Sequence, residues 1–158
     1  MDAGAEHKPV PFLQSEFDEF HGQLSPDSRW MAYTSDQSGQ REVYVRSFPA
    51  AEILKRISIE GGEQPRWRGD GRKLFFVAED GKMMAVAVKA MAGPKPSFEP
   101  EAPRPLFETH LAQGPGKAIF EYDVTADGKR FLLDSAGGSS ASAPPLNVVV
   151  NWDTVLKK

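Results

Sequence analysis

Residues 23–35, QLSPDSRWMAYTS, align with residues 66–78, RWRGDGRKLFFVA, and with residues 123–135, DVTADGKRFLLDS. One aspartate stands in register in all three stretches: Asp27, Asp70 and Asp127. The aspartates are 43 and 57 residues apart. The first separation is typical of a four-stranded propeller blade, and the second fits the same unit with a Pro/Gly-rich insertion. The sequence therefore predicts an all-β protein that repeats one supersecondary unit.

The residues before each aspartate alternate in polarity, as a strand with one packed face requires. Positions three and five before it are apolar or small: Leu24, Gly22, Trp67, Pro65, Val124 and Tyr122. Positions two, four and six before it are polar: Ser25, Gln23, His21, Arg68, Arg66, Gln64, Thr125, Asp123 and Glu121. We expect the polar set to meet water.

A turn follows each aspartate, because Asp bonds backbone donors two residues on and Gly accepts a positive φ. Ser28 stands in the first turn where the other two have glycine. The next residues, 30–34, 74–77 and 131–133, predict central strands covered on both faces. Third strands are predicted at 42–48, 83–88 and 147–152, and outer strands at 55–60 and 104–109. No stretch has helical periodicity beyond about two turns.

These elements predict one propeller segment over 1–158, made of blades of four antiparallel strands. Blade 1 takes 20–60, blade 2 takes 61–109, an incomplete blade 3 takes 110–158, and 8–14 is a detached outer strand. Prolines in that strand and at the start of 104–109 suit edge positions, where a missing N–H does little harm. The tryptophans are predicted to lie in blade cores: Trp30, Trp67 and Trp152.

Several segments together resemble the TolB-like six-bladed β-propeller family, as found in the carboxy-terminal part of bacterial multidomain, often kinase-linked, proteins. The resemblance lies in SPDSRWMAYTSDQSGQREVYV (25–45), ISIEGGEQPRWRGDGRKLFFVAEDGKMMAVAV (57–88), PRPLFET (103–109), YDVTADGKRFLL (122–133) and VVVNWDTVLKK (148–158). It implies that a chain of about three blades is half of a six-bladed ring. No Gly-rich phosphate loop, HRD or DFG motif is present, so kinase activity is not implied.

Three blades raise a physical difficulty, because a propeller covers its apolar blade faces by closing its ring. One solution is that the chain is a piece of a larger ring. The other is a homodimer formed by strand exchange, in which 8–14 of each copy completes blade 3 of the other. The second solution accounts for both the detached strand and the incomplete blade, so a homodimer is predicted.

Composition restricts the partners. The net charge is -3, with both signs interspersed, which argues against nucleic acid. No apolar run approaches the roughly 18 residues that cross a bilayer, and 1–14 has no signal-peptide pattern. We therefore expect no membrane partner and a cytoplasmic location as written, or a periplasmic one within a longer precursor. The absence of cysteine excludes thiolate zinc sites and cysteine nucleophiles.

The innermost strand of a blade lines the central channel of a propeller. Its polar positions give the candidate ligand-binding residues: His21, Gln23, Gln64, Arg66, Glu121 and Asp123. Loops at one mouth add Glu16, Asp18, Glu19, Asp36, Glu63, Glu79, Asp80 and His110. The leading prediction is a noncatalytic module that presents a polar channel to a protein, peptide or small ligand. The alternative is that this wall is polar only because it meets water.

A second functional hypothesis is a calcium-dependent hydrolase of lactones or esters, with the metal at the channel mouth. Oxygen ligands of the right type are Glu19, Glu63, Glu121, Asp123, Asn147 and Asn151. None falls in a calcium-loop spacing. His21 and His110 are the candidate general bases. GxSxG, HExxH and dinucleotide motifs are absent, so the sequence favours binding over catalysis.

Overall fold

The computed structural model describes residues 9–91, 95–112 and 119–135, together with the backbone of 146–150. Over those ranges the regular structure is antiparallel β-sheet, so the predicted all-β class is confirmed. No helix in the described part is long and apolar enough to span a membrane. Blade 1 is a four-stranded sheet in chain order: β1 (Glu19–Leu24), β2 (Trp30–Ser35), β3 (Glu42–Ser47) and β4 (Leu54–Arg56).

Blade 2 has five strands: β5 (Glu63–Trp67), β6 (Lys73–Val77), β7 (Lys82–Met91), β8 (Ser97–Pro100) and β9 (Arg104–Glu108). The long strand β7 pairs with β9 along its first half and with β8 along its second half. Strand β9 is the predicted outer strand. Strand β8 was not predicted, and it shows that the Pro/Gly-rich insertion returns to the sheet as an additional strand.

Blade 3 contains β10 (Tyr122–Val124), β11 (Arg130–Asp134) and β12 (Leu146–Val150), paired in that order. Its three predicted strands are therefore present, although residues 151–152 of the third, including Trp152, lie outside the described residues. An isolated antiparallel bridge joins Leu111 to Ser135 beside the sheet.

Two predicted outer strands differ from the structure. Residues 55–60 do not form one strand, because Ile57 turns inward to the core and Ser58 is buried. The Ser58 hydroxyl accepts the N–H of Val43 at 2.8 Å and donates to the Glu42 carboxylate. Residues 9–14 form no strand with the described chain. Phe12 instead packs against Phe48, with ring centroids 5.1 Å apart, so pairing of this segment with a second copy stays a prediction.

Among the described residues, two hydrophobic cores lie between successive blades. One joins blades 1 and 2 and contains Trp30, Ala32, Val43, Val45, Ile57, Trp67, Leu74, Phe76, Val86, Val88 and Phe98. The other joins blades 2 and 3 and contains Phe75, Val77, Met83, Ala85, Leu106, Tyr122, Phe131 and Leu133. Central strands thus send alternate residues to opposite blade neighbours, which explains why they are apolar throughout.

The repeated aspartates form hairpin turns, as predicted. Each carboxylate accepts the backbone N–H two residues on, from Arg29, Arg72 and Lys129. In the second turn, the hydrogen bond from Arg68 lowers the pKa of Asp70 to about 2. Ser28 adopts φ 56°, close to the 70° of the glycines Gly71 and Gly128 at the equivalent position. A positive φ is less favourable for serine than for glycine, because serine has a Cβ atom.

Candidate functional site

The innermost strands β1, β5 and β10 each carry, four positions before the aspartate, one polar residue: Gln23, Arg66 and Asp123. We call these three the inner wall. Arg66 Nε lies 3.7 Å from Asp123 Oδ1, and their side chains are 20% and 66% exposed. Trp67 Nε1 donates a hydrogen bond of 3.2 Å to the Gln23 carbonyl, which links the first two strands. Arg66 and Asp123 therefore form a partly exposed ion pair, and the Gln23 backbone is tied to the strand that carries Arg66.

The Arg66 guanidinium also rests on an aromatic ring. Its carbon lies 3.8 Å from the ring centroid of Phe120, within the range of a cation–π contact. Phe120 lies just before β10, next to the buried Glu121. The sequence did not indicate a role for it. The ring and the Asp123 carboxylate together restrict the orientation of the guanidinium, which lowers the entropy lost when Arg66 binds a ligand.

The residues six positions before the aspartate behave differently from the prediction. His21, Gln64 and Glu121 are buried between blades, with 5%, 1% and 3% of their surfaces exposed, and do not face water. A register shift interrupts the β1–β2 and β5–β6 pairings next to these positions, and both His21 and Gln64 have φ near +57°. A bulge of this kind re-aims a side chain. Ligand binding by these three residues stays a prediction.

Gln64 links all three blades through hydrogen bonds. Its backbone N–H donates to Thr34 Oγ1 of blade 1 at 3.3 Å. Its side-chain Nε2 donates to Glu121 Oε2 of blade 3 at 3.2 Å, and its Oε1 accepts the Glu121 N–H at 2.7 Å. The Tyr122 hydroxyl donates to the Gln64 carbonyl at 2.8 Å, and burial raises the pKa of this phenol so that it stays neutral. The glutamine is a structural bridge.

His21 has hydrogen-bond partners on both ring nitrogens. Nε2 lies 3.0 Å from the Ile119 carbonyl, which can only accept, so the geometry assigns the proton to Nε2. Nδ1 lies 3.2 Å from Thr34 Oγ1 and, in that neutral tautomer, accepts the hydroxyl proton. The ring also packs between Phe20 and Phe120. This arrangement joins blade 1 to the entry of blade 3, and a general-base role for His21 stays a prediction.

The mouth residues are spread over several local contacts. Arg41 Nη1 lies 3.3 Å from the nearly buried Glu63 Oε1, and its guanidinium lies over Phe20. Lys82 pairs with Asp80 at 2.6 Å on the surface, and this contact lowers the pKa of Asp80. The second candidate base, His110, lines a small cavity of about 200 Å³ with Glu108 and Thr109.

The candidate calcium ligands do not gather at one point in the described ranges. Four of them contact different neighbours: Glu19 with Ser15, Glu63 with Arg41, Glu121 with Gln64, and Asp123 with Arg66. Asn147 belongs to β12, and Asn151 lies outside the described residues. Over the described part, no three His, Asp or Glu residues are close enough to hold a metal ion. A calcium site and the hydrolase hypothesis stay predictions.

One concave surface of the described chain was not predicted. It is a cavity of about 740 Å³ between the blade 1–blade 2 connection and the outer strand of blade 2. We call it the outer groove, and its lining includes Ile59, Phe76, Met84, Pro105, Glu60, Glu79, Asp80 and Lys82. Ile59 is 62% exposed at its rim. The signal in the sequence for this groove was an isoleucine, Ile59, followed by Glu60 and two glycines.

Comparisons with known proteins find similar solved structures but no matching family. No family model and no curated protein matches the sequence. Among solved structures, an oligogalacturonate lyase from Vibrio parahaemolyticus is 12% identical with a TM-score of 0.48, over 77% of this chain and 31% of that one. TolB from Acinetobacter baumannii is 15% identical with a TM-score of 0.45, over 92% of this chain and 46% of that one. The chain thus spans less than half of either structure, and its assignment as propeller blades rests on its own three sheets.

Proposed function

We propose that the chain is a noncatalytic recognition module whose inner wall binds a peptide, a protein segment or a small polar ligand. One observation carries the proposal: the repeat places Gln23, Arg66 and Asp123 at one register on three neighbouring strands, where they remain accessible to a ligand. The same register also explains why Arg66 and Asp123 are adjacent in space although they are far apart in sequence.

The chemistry of the inner wall suits a ligand with both hydrogen-bond donors and acceptors. Gln23 carries an amide, Arg66 donates only, and the ionised Asp123 accepts only. A peptide backbone or a zwitterionic small molecule offers the complementary groups within a few bonds of one another. Because Arg66 is held against Phe120 and beside Asp123, the site loses less side-chain entropy on binding than a free surface arginine would.

The proposal is tested by selecting 12-residue peptides from a random display library on the immobilised wild-type chain and measuring their affinities by isothermal titration calorimetry. Arg66→Ala is expected to weaken binding about 10-fold to 100-fold, the usual cost of removing a charged hydrogen-bonding partner. Asp123→Asn should weaken binding less. Thermal melts of each variant establish that the fold is retained.

A matched control comes from the outer groove. Glu60→Gln removes an exposed charge there and is expected to leave the affinity unchanged. Selected peptides that lose affinity with Glu60→Gln but not with Arg66→Ala would contradict binding at the inner wall. Hydrolysis of a panel of lactones by the wild-type chain in the presence of calcium, absent from Arg66→Ala and Asp123→Asn, would contradict the noncatalytic assignment.

A further inference from the structure

Two blade faces of the described chain lack a neighbouring blade. The free face of blade 1 includes Leu24 and Met31, which are paired across β1 and β2. The free face of blade 3 includes Leu132 on the central strand β11. Leu24 is 43% exposed and Leu132 is 40% exposed, although both belong to strands whose equivalents are buried in the other blades. Apolar side chains at the equivalent positions of the other blades are covered by the neighbouring blade.

The two inter-blade cores show what that cover must be. In each core, the blade that comes later in the chain contributes three residues, which lie three positions before, four after and six after its own aspartate. They are Trp67, Leu74 and Phe76 in the first core, and Val124, Phe131 and Leu133 in the second. The earlier blade contributes the residue five after it, Ala32 or Phe75. The same packing rule therefore operates twice within the chain.

The free faces are the two halves of that same interface. In blade 1 the later-blade positions are Leu24, Met31 and Tyr33, of which Tyr33 is already buried and stacked on Tyr44. In blade 3 the earlier-blade position is Leu132. Residues Phe12 and Leu13 border a cavity of about 280 Å³ beside Met31 and Tyr33, so the segment before blade 1 covers this face only in part. The described chain thus presents a partly covered later-blade face on blade 1 and an exposed leucine, Leu132, at the earlier-blade position of blade 3.

We propose that a second copy of the chain covers both faces head to tail, so that blade 3 of each copy packs on blade 1 of the other. The two contacts close a ring of six blades with two-fold symmetry. Each copy then supplies its own Gln23, Arg66 and Asp123, and the channel is completed only in the dimer. Pairing of two like faces is disfavoured, because neither inter-blade core within the chain is built that way. The inference about assembly does not depend on the proposed ligand-binding function.

Size-exclusion chromatography with multi-angle light scattering tests the assembly. The wild-type chain at micromolar concentration is expected to have twice the mass of one chain. Leu24→Lys and Leu132→Glu are each expected to be monomers. In a two-fold symmetric dimer, each substitution buries one unpaired charge in each of the two interfaces. Mixed in equal amounts, the two variants should form a heterodimer with one unaltered interface and one Lys–Glu pair. Ile59→Lys, in the outer groove, is the control and should remain dimeric.

Other outcomes overturn the proposal. A monomeric wild-type chain excludes the dimer, and a larger open oligomer excludes the closed ring. A Leu132→Glu variant that stays dimeric while Leu24→Lys is monomeric indicates pairing of like faces. If a charged variant fails to fold, Leu24→Cys and Leu132→Cys replace it, since the chain has no native cysteine. A short bismaleimide should then link the two variants to each other when they are mixed, and absence of that covalent dimer counts against the proposal.

Discussion

At the scale of single residues, the bridge made by Gln64 is the feature that joins the blades. Its backbone and side chain contact Thr34 and Glu121, in the blades on either side. The sequence predicted that this position is polar but not that it is buried. The reason lies in the backbone: φ of 58° in a glutamine and the accompanying bulge have no local sequence signature of the kind that glycine provides at Gly71.

Gln64→Leu is expected to lower the free energy of unfolding by about 2–3 kcal/mol, because it leaves the buried N–H and carboxylate of Glu121 without the amide. Urea unfolding followed by circular dichroism measures the change at a fixed protein concentration. Gln23→Leu is the matched control: the same substitution on the inner strand of blade 1, at a half-buried position, should cost less than about 0.5 kcal/mol. An equal loss of unfolding free energy in the two variants would show that Gln64 does not stabilise the contact between the blades.

At the scale of secondary-structure elements, the strands that follow the repeated aspartate were predictable and the insertion was not. The pattern of an apolar run after an Asp turn is local, so β2, β6 and β11 lie close to their predicted bounds. Strand β8 has only four residues and one apolar side chain, Phe98, which is too little for periodicity to detect. It forms a strand because it pairs with the second half of β7 and because Phe98 packs on Trp30 and Trp67, which are distant in sequence.

Phe98 contacts two tryptophans of the first inter-blade core. Its ring centroid lies 4.8 Å from that of Trp30 and 6.2 Å from that of Trp67, and it is 3% exposed. Phe98→Ala is expected to cost about 3–5 kcal/mol and to alter tryptophan fluorescence, because a large cavity opens beside both indoles. Glu99→Ala, on the exposed side of the same strand, is the control and should leave stability and emission unchanged. A similarly small effect of Phe98→Ala would mean that β8 does not help to hold blades 1 and 2 together.

At the scale of the whole molecule, the register of the aspartate predicted the three inner strands and six polar candidate residues on them. It did not separate Gln23, Arg66 and Asp123, which are half-buried or exposed, from His21, Gln64 and Glu121, which are buried. It did not predict Phe120 under Arg66 or the outer groove, since both depend on how the connections between blades fold. Periodicity determines which face a strand residue occupies, whereas the path of a connection depends on long-range packing.

The most direct test of the inner wall is a proximity measurement between β5 and β10. An Arg66→Cys/Asp123→Cys variant has only these two cysteines, because the chain has none of its own. They replace residues in which Arg66 Nε lies 3.7 Å from Asp123 Oδ1. Treatment with a short bismaleimide, read out by intact mass under denaturing conditions, is predicted to give one reagent bridging both cysteines within a single chain. Arg66→Cys/Glu99→Cys is the control pair and should give two separate adducts. Two separate adducts on the Arg66→Cys/Asp123→Cys variant would contradict the alignment of the inner strands.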